Sequence, residues 1–371
     1  MLRSVLLTAE PYAFGPSSKM ITIAKAIRGH CRVTILGRDI VHDYAAANGF
    51  SCEAYTLLDL DRQVPLLSAQ DVALNVMNFE LDGVFRKSGV PTFYLDTLFW
   101  FWDTPVWERS DPVRYFCQDF PGTHAAIANT KAPFRNRISV IGPVVDTSRR
   151  CKQSKPQHVL VNFGGLESDF VKIGSNSSYP FLVLDAILGE IQSRFDVPVI
   201  VTTRDSVAIR LQQRYSHFDR VTFAALSQGE FLDALSTSAC VFTTPGVETV
   251  YEAFLHEIPV FFLPPSLNSQ YYQLEVYKAA GVADFRLEWR ALVGGGLERR
   301  GLSLSAQTEH ILRTMRAPDS FEHLLRDVGP AMEAFKTCVD KPATQLVAQR
   351  VFMQRLGENG VAQICSSLMR S

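Results

Sequence analysis

Residues 240–283, CVFTTPGVETVYEAFLHEIPVFFLPPSLNSQYYQLEVYKAAGVA, carry the clearest chemical pattern in the chain. An apolar run over 240–243 predicts a buried strand, and Thr244-Pro245-Gly246 predicts a turn after it. Glycine at 246 lets a ligand come close to the backbone. The next helix would then offer the N–H groups of Val247, Glu248 and Thr249, which together with the helix dipole favour a phosphate. On a helical period Val247, Val250, Tyr251 and Phe254 share one apolar stripe, the core face. Glu248 and Glu252 lie one turn apart on the neighbouring face. A carboxylate there can accept two hydrogen bonds from vicinal hydroxyls such as a ribose diol.

Such a turn must sit at the end of a strand, and the wider pattern supplies strands in alternation with helices. In the first half, strands are expected over 4–8, 31–36, 71–76, 91–95 and 138–141. A helix follows the first of them, opening at Pro16 and Ser17 with Ile21, Ala24 and Ile27 as its stripe. In the second half, strands over 158–162, 198–202, 221–224, 240–243 and 259–263 alternate with helices over 180–194, 206–214, 229–235, 248–256 and 270–280. This is an α/β chain with parallel sheets. The polar stretch 145–157 reads as a linker, which divides the chain into domains 1–147 and 148–340. The tail 341–371 is expected to be helical, broken at Gly357 and Gly360, and to pack back on the N-terminal domain. Parallel sheets bind ligands at the carboxyl ends of their strands, so two such edges predict an interdomain cleft.

Composition narrows the function classes. The 371 residues are 47% hydrophobic and 20% charged with net charge −1, ordinary values for two globular domains. Near-neutral charge argues against non-specific nucleic-acid binding. No apolar run reaches the roughly 18 residues of a membrane span, and MLRSVLLTAEPY lacks the apolar region of a signal peptide. The seven cysteines include no CxxC pair, so neither zinc spacing nor a disulfide framework is expected, and a reducing cytoplasm fits. No metal site is visible.

The segment 240–283 resembles the donor half of GT-B glycosyltransferases that use UDP-sugars. It is closest to the peptidoglycan lipid-intermediate N-acetylglucosaminyl transferases and the glucuronosyl/glucosyl transferases. The resemblance implies two Rossmann-like domains, with the second holding the nucleotide sugar. Glu252 stands where the family holds the UDP ribose, and Gly246 where its turn glycine lies beside the diphosphate. Pro259 and Pro264 match strand boundaries, while Glu257-Ile258 stands where the family usually has a glycine. Gln270 and Gln273 match positions that contact the donor sugar. Gly164-Gly165 resembles the first loop of the donor domain, where glycines approach the pyrophosphate. Ser168 and Arg204 are candidate phosphate partners, and Ser227 and Gln228 fall where the family reads uracil through backbone groups.

Retaining members of the fold carry a second Glu before the ribose ligand; Thr244 occupies the corresponding position here, which implies inversion. Inversion needs a base at the acceptor. Asp96, heading an aromatic run, is the first candidate and Glu10, after the first strand, the second; Asp119 and His124 are further choices. The loop Phe14-Gly15-Pro16-Ser17-Ser18-Lys19 resembles the N-terminal loop of the fold, with Gly15, Ser17, Ser18 and Lys19 facing phosphate or acceptor. The aromatics Phe93, Tyr94, Phe99, Trp100, Phe101, Trp102 and Trp107 exceed what one strand face buries, so some are expected to line an acceptor pocket or a membrane-facing surface. Acidic neighbours favour a small soluble acceptor over a lipid. The loop and the aromatic run also resemble bacterial transferases that join a UDP-sugar acid to a pyrimidine base. The expected activity is inverting, metal-independent transfer from a UDP-sugar to a small natural-product or nucleobase-type acceptor, with no cofactor. A non-hydrolysing UDP-sugar epimerase and a non-catalytic nucleotide-sugar-binding protein are the alternatives.

Overall fold

Strands form where β-branched and aromatic residues run uninterrupted, and every ladder pairs in parallel because a helix or long loop separates consecutive strands. The computed structural model describes residues 3–11, 14–102, 111–149, 156–164, 166, 178–293 and 302–370. It divides into two units, Met1–Asp146 with Gln354–Ser371, and Thr147–Met353.

The first unit holds a seven-stranded sheet in the order β3-β2-β1-β4-β5-β6-β7. Its strands are β1 (Ser4–Ala9), β2 (Arg32–Gly37), β3 (Cys52–Ala54), β4 (Val72–Val76), β5 (Thr92–Asp96), β6 (Arg114–Gln118) and β7 (Ile138–Ile141). Neither β3 nor β6 is expected from the sequence. The first is three residues long, and the second flanks its apolar centre with Arg114 and Gln118. Both faces are apolar: Val5, Leu7, Leu74, Phe93 and Leu95 pack under the helices Phe14–Ile27, Ile40–Ala47 and Val361–Arg370, and Leu6, Leu36 and Ala73 pack with Leu67, Leu81, Val84 and Phe85 on the other side. Ile364 and Leu368 of the last helix belong to this core. The return of the chain is tight, for a Cβ on Gly142 would lie 1.8 Å from the Glu358 carbonyl oxygen.

The second unit holds a five-stranded sheet in the order β10-β9-β8-β11-β12. Its strands are β8 (His158–Gly164), β9 (Val199–Thr203), β10 (Val221–Ala224), β11 (Ser238–Thr243) and β12 (Val260–Phe262). Across the sheet Phe223, Val201, Val161, Phe242 and Phe261 stand in register, and all five lie in one continuous apolar core. The helices Tyr179–Arg194 and Pro318–Asp340 supply much of the rest of that core. Among the described residues no helix is long and apolar enough to cross a membrane.

Candidate functional site

The donor-type residues gather at the carboxyl edge of the second unit's sheet. β11 ends at Thr243, and the helix Glu248–Leu255 begins after the Thr244–Val247 turn. Asn162, at the end of β8, ties this turn to its neighbour: its Nδ2 donates to Thr249 Oγ1 at 2.7 Å, and its Oδ1 accepts from Gly164 N–H at 2.9 Å. Gly164 has φ +64°, a conformation that suits glycine. Tyr277 donates to the Gly246 carbonyl at 3.2 Å. A Cβ on Gly246 would meet nothing within 4 Å. The protein itself therefore does not need glycine at 246. Glu252 is 2% exposed on the same helix, with Glu248 half-buried one turn before it.

Other expected donor contacts take different positions. Gln273 is buried; with its amide oriented to donate, Nε2 lies 2.7 Å from the Pro245 carbonyl. It braces the turn from beneath. Gln270 remains half-buried, its Oε1 accepting from Ser266 N–H at 2.8 Å and Ser266 Oγ at 3.0 Å. Ser227 is a helix cap: its Oγ accepts from Glu230 N–H, its N–H donates to the Glu230 carboxylate at 2.8 Å, and its carbonyl accepts from Phe231. Those backbone groups are committed to the helix start, and Gln228 is fully buried beside them. Arg204 caps the helix Asp205–Arg214 at the end of β9, its carbonyl accepting from Val207 and Ala208. Gly165 and Ser168 lie outside the described residues. Glu257, where a glycine was expected by resemblance, adopts φ +57° and pairs with Arg350 at 3.1 Å. The backbone keeps the left-handed turn that glycine would favour.

The first unit gathers a different set at its own carboxyl edge. Thr8, Asn75, Tyr94 and Tyr115 stand in register across β1, β4, β5 and β6. Asn78 Nδ2 donates to Thr8 Oγ1 at 2.9 Å and to Tyr55 Oη at 3.1 Å, and Asn78 N–H donates to Asn75 Oδ1 at 2.7 Å. Asn75 Nδ2 reaches the Asn78 carbonyl at 2.9 Å and Asp82 Oδ1 at 3.4 Å. Tyr55 donates to Glu80 at 2.7 Å, and Arg38 donates to the same carboxylate at 2.8 Å. Met77, with φ +59°, turns the chain so that Asn78 reaches back to Thr8. Residues 70 positions apart make this network, so no local motif announces it. The one local signal is a pair of asparagines three apart at a strand end.

Asp96 closes β5 and is 0% exposed. Its carboxylate accepts from Tyr115 Oη at 2.6 Å, Leu98 N–H at 2.7 Å and Trp102 Nε1 at 3.4 Å. Burial pushes its pKa up to about 6 against these hydrogen bonds, which pull it down. Glu10 follows β1 half-buried, its N–H donating to the Val76 carbonyl at 2.9 Å. Asp119, after β6, lies 3.7 Å from His124, and burial raises its pKa.

One expectation for this unit is corrected. The segment from Phe14 is helical from its first residue, not an open loop, because Pro16 needs no hydrogen-bonded N–H in a first turn. Gly15 stays half-buried, but Ser17 and Ser18 are buried, and Lys19 is 2% exposed with Nζ donating to the Val144 carbonyl at 3.2 Å. Lys19, Ile23 and Ile27 share a stripe at four-residue spacing, a signal that places Lys19 inward. The aromatic run is also largely interior: Phe93, Tyr94, Phe99 and Phe101 are buried, Trp100 stacks on Phe120 at 4.6 Å, and Trp107 lies outside the described residues. Alternation sends Phe93 to the face under the first and last helices and Tyr94 to the opposite one, among Met77, Phe99, Tyr115 and Cys117.

No group of three or more His, Cys, Asp or Glu among the described residues is arranged to hold a metal ion. No protein-family model matches the sequence. No curated protein matches it either. Solved structures do share its fold. The spinosyn rhamnosyltransferase SpnG superposes with TM-score 0.54 at 13% identity, over 100% of both chains. A UDP-bound MnaA from S. aureus gives 0.52 at 11%, over 92% of this chain and 97% of that one. A putative UDP-N-acetylglucosamine 2-epimerase from Listeria monocytogenes gives 0.51 at 12%, over 93% and 98%.

Proposed function

With the GT-B fold as premise, we propose that this chain is an inverting glycosyltransferase that moves a sugar from a UDP-sugar to a small acceptor. The observation that carries this reading is the turn at Gly246, open to a ligand, with Glu252 one turn into the helix behind it. In this reading the first-turn N–H groups of Val247, Glu248 and Thr249 take the diphosphate, supported by Arg204 at the end of β9. The Glu252 carboxylate accepts the ribose hydroxyls, and Gln270 contacts the sugar. The helix N–H groups are oriented before the reaction, so they stabilise the charge that develops on the leaving diphosphate.

The acceptor nucleophile attacks the anomeric carbon, a new glycosidic bond forms, the bond to the diphosphate oxygen breaks and UDP leaves. The acceptor's proton passes to a carboxylate of the first unit. Glu10 keeps solvent access, whereas Asp96 is sealed and accepts three donors. Glu10 is therefore the preferred base, with Asp96 holding the edge beside it. Release of UDP from a panel of UDP-sugars with small acceptors tests this. Glu10→Gln is expected to lower turnover by about 10²-fold with UDP affinity unchanged. Full activity in both Glu10→Gln and Asp96→Asn would refute either of them as the base.

An epimerase is the second reading, since one of the matched folds bears that name. Conversion of UDP-N-acetylglucosamine alone, with no acceptor added, would select it. UDP binding with neither reaction would select a non-catalytic binding protein.

A further inference from the structure

A carbonyl and the N–H that follows it share one planar trans peptide and point in opposite directions. Whatever holds the carbonyls of a turn therefore aims its N–H groups. In the Thr244–Val247 turn every carbonyl is held. That of Thr244 accepts from Gly246 N–H at 2.7 Å and from Thr243 Oγ1 at 3.3 Å. That of Pro245 takes the Gln273 amide at 2.7 Å, and that of Gly246 takes Tyr277 Oη at 3.2 Å. The Val247 carbonyl accepts from Tyr251 N–H at 3.0 Å. Among the described residues no hydrogen bond uses the N–H of Val247 or Thr249. The turn thus keeps its acceptors for the protein and leaves donors over.

Two of these contacts come from one element. Gln273 and Tyr277 lie one turn apart on the helix Asn268–Ala279, and both are buried. The Tyr277 ring is fixed independently of its hydroxyl. It stacks on Phe262 at 5.3 Å and lies 6.3 Å from Phe254 and 5.6 Å from Phe352, centroid to centroid. Burial raises the phenol well above its ordinary pKa, so the hydroxyl stays a donor.

Glycine at 246 makes the Tyr277 contact matter. Without a side chain, the backbone there has a wide choice of φ and ψ. Rotating the peptide between 246 and 247 would turn its carbonyl toward a ligand and the Val247 N–H away. A carbonyl oxygen facing a diphosphate repels it, and in that rotation the carbonyl would also lose its donor.

We infer that Tyr277, with Gln273 on the preceding carbonyl, is a positioning residue for diphosphate recognition. It holds the Gly246 carbonyl beneath the turn and so aims the Val247 N–H at the phosphates, without touching the ligand. This rests on the reading of the second unit as a UDP site. The orientation exists before the ligand arrives, so its loss falls on the diphosphate part of the ligand and not on the nucleoside part.

The test compares UDP with uridine on the full chain, in native, Tyr277→Phe and Gln273→Met proteins. UDP is titrated by calorimetry and uridine by ligand-observed NMR, which reads weak binding. Tyr277→Phe keeps the ring and removes the hydroxyl. It is expected to weaken UDP about five- to tenfold, the worth of one hydrogen bond, and to leave uridine within about twofold. Gln273→Met, which keeps the bulk and removes the donor, should shift UDP against uridine in the same direction. A merely structural role would weaken both ligands alike. Equal losses for the two ligands, or UDP affinity unchanged in both variants, would therefore overturn the inference while leaving the UDP site standing. Failure of the native protein to bind UDP would defeat the donor-site reading itself, and the inference with it.

Discussion

Two rows, one from each sheet, solve the same packing problem with different residues. In the second unit Phe223, Val201, Val161, Phe242 and Phe261 fill the row, and polar side chains wait until the next one, at Thr202, Asn162 and Thr243. In the first unit the corresponding row is Thr8, Asn75, Tyr94 and Tyr115. Buried polar groups are tolerated only when they find partners, and most of this row does, through Asn78 and Asp96. The second unit keeps a dry core and presents backbone groups at a turn, which suits a phosphate. The first unit buries a hydrogen-bonded polar row inside its sheet.

The contrast is sharpest when each row is cut. Phe242 is fully buried, with ring centroids 5.0 Å from Phe261 and 5.4 Å from Phe335. Phe242→Ala should cost about 3–5 kcal/mol in urea unfolding, the range for large core deletions. In the first unit Asn78→Ala should cost roughly 1–3 kcal/mol by leaving the Thr8 and Tyr55 hydroxyls without the amide that donates to them. A cost well under 1 kcal/mol would mean that water replaces the network and that the polar row is not specific.

Titration distinguishes the rows as well. Asp96 has its carboxyl pushed up to about 6 from an ordinary 3.8, so the folded state holds that proton more tightly than the unfolded chain. Its contribution favours the fold below pH 4 and is lost as pH rises through 6, a change on the order of 3 kcal/mol. Asp96→Asn should flatten the unfolding free energy between pH 4 and 7 relative to the native chain. An unchanged profile would remove Asp96 from the account. The second unit's row contains no ionisable side chain and predicts no such slope.

Smaller effects separate turns that serve the chain from turns that serve a ligand. Glu257→Gly should raise stability by up to about 1 kcal/mol, because φ +57° disfavours a side chain. Gly246→Ala should leave the thermal midpoint within a degree or two, since a Cβ there meets nothing. The same substitution should weaken UDP binding.

How much the sequence revealed follows the range of the interactions. The strand, turn and helix around Gly246 rest on neighbours within ten residues, and the helix Glu248–Leu255 begins where the pattern places it. Ile138–Ile141 and Val221–Ala224 match their expected spans for the same reason. The Thr8–Asn78 and Tyr55–Glu80 contacts join distant segments, and no periodicity encodes them. Ser227 shows a middle case: Ser-x-x-Glu is a local capping signal, and the structure uses it to start the helix. Lys19 was readable from helical spacing alone, yet a lysine is rarely expected inside.

The central claim is that the second unit is a UDP site built on Gly246 and Glu252. Titration of the full chain with UDP, alongside ADP, GDP, CDP and dTDP, tests it most directly, repeated with Glu252→Gln. Selective binding of UDP, weakened at least tenfold in that variant at an unchanged thermal midpoint, is the expected result. Failure to bind UDP, or equal affinity in native and Glu252→Gln proteins, would contradict it.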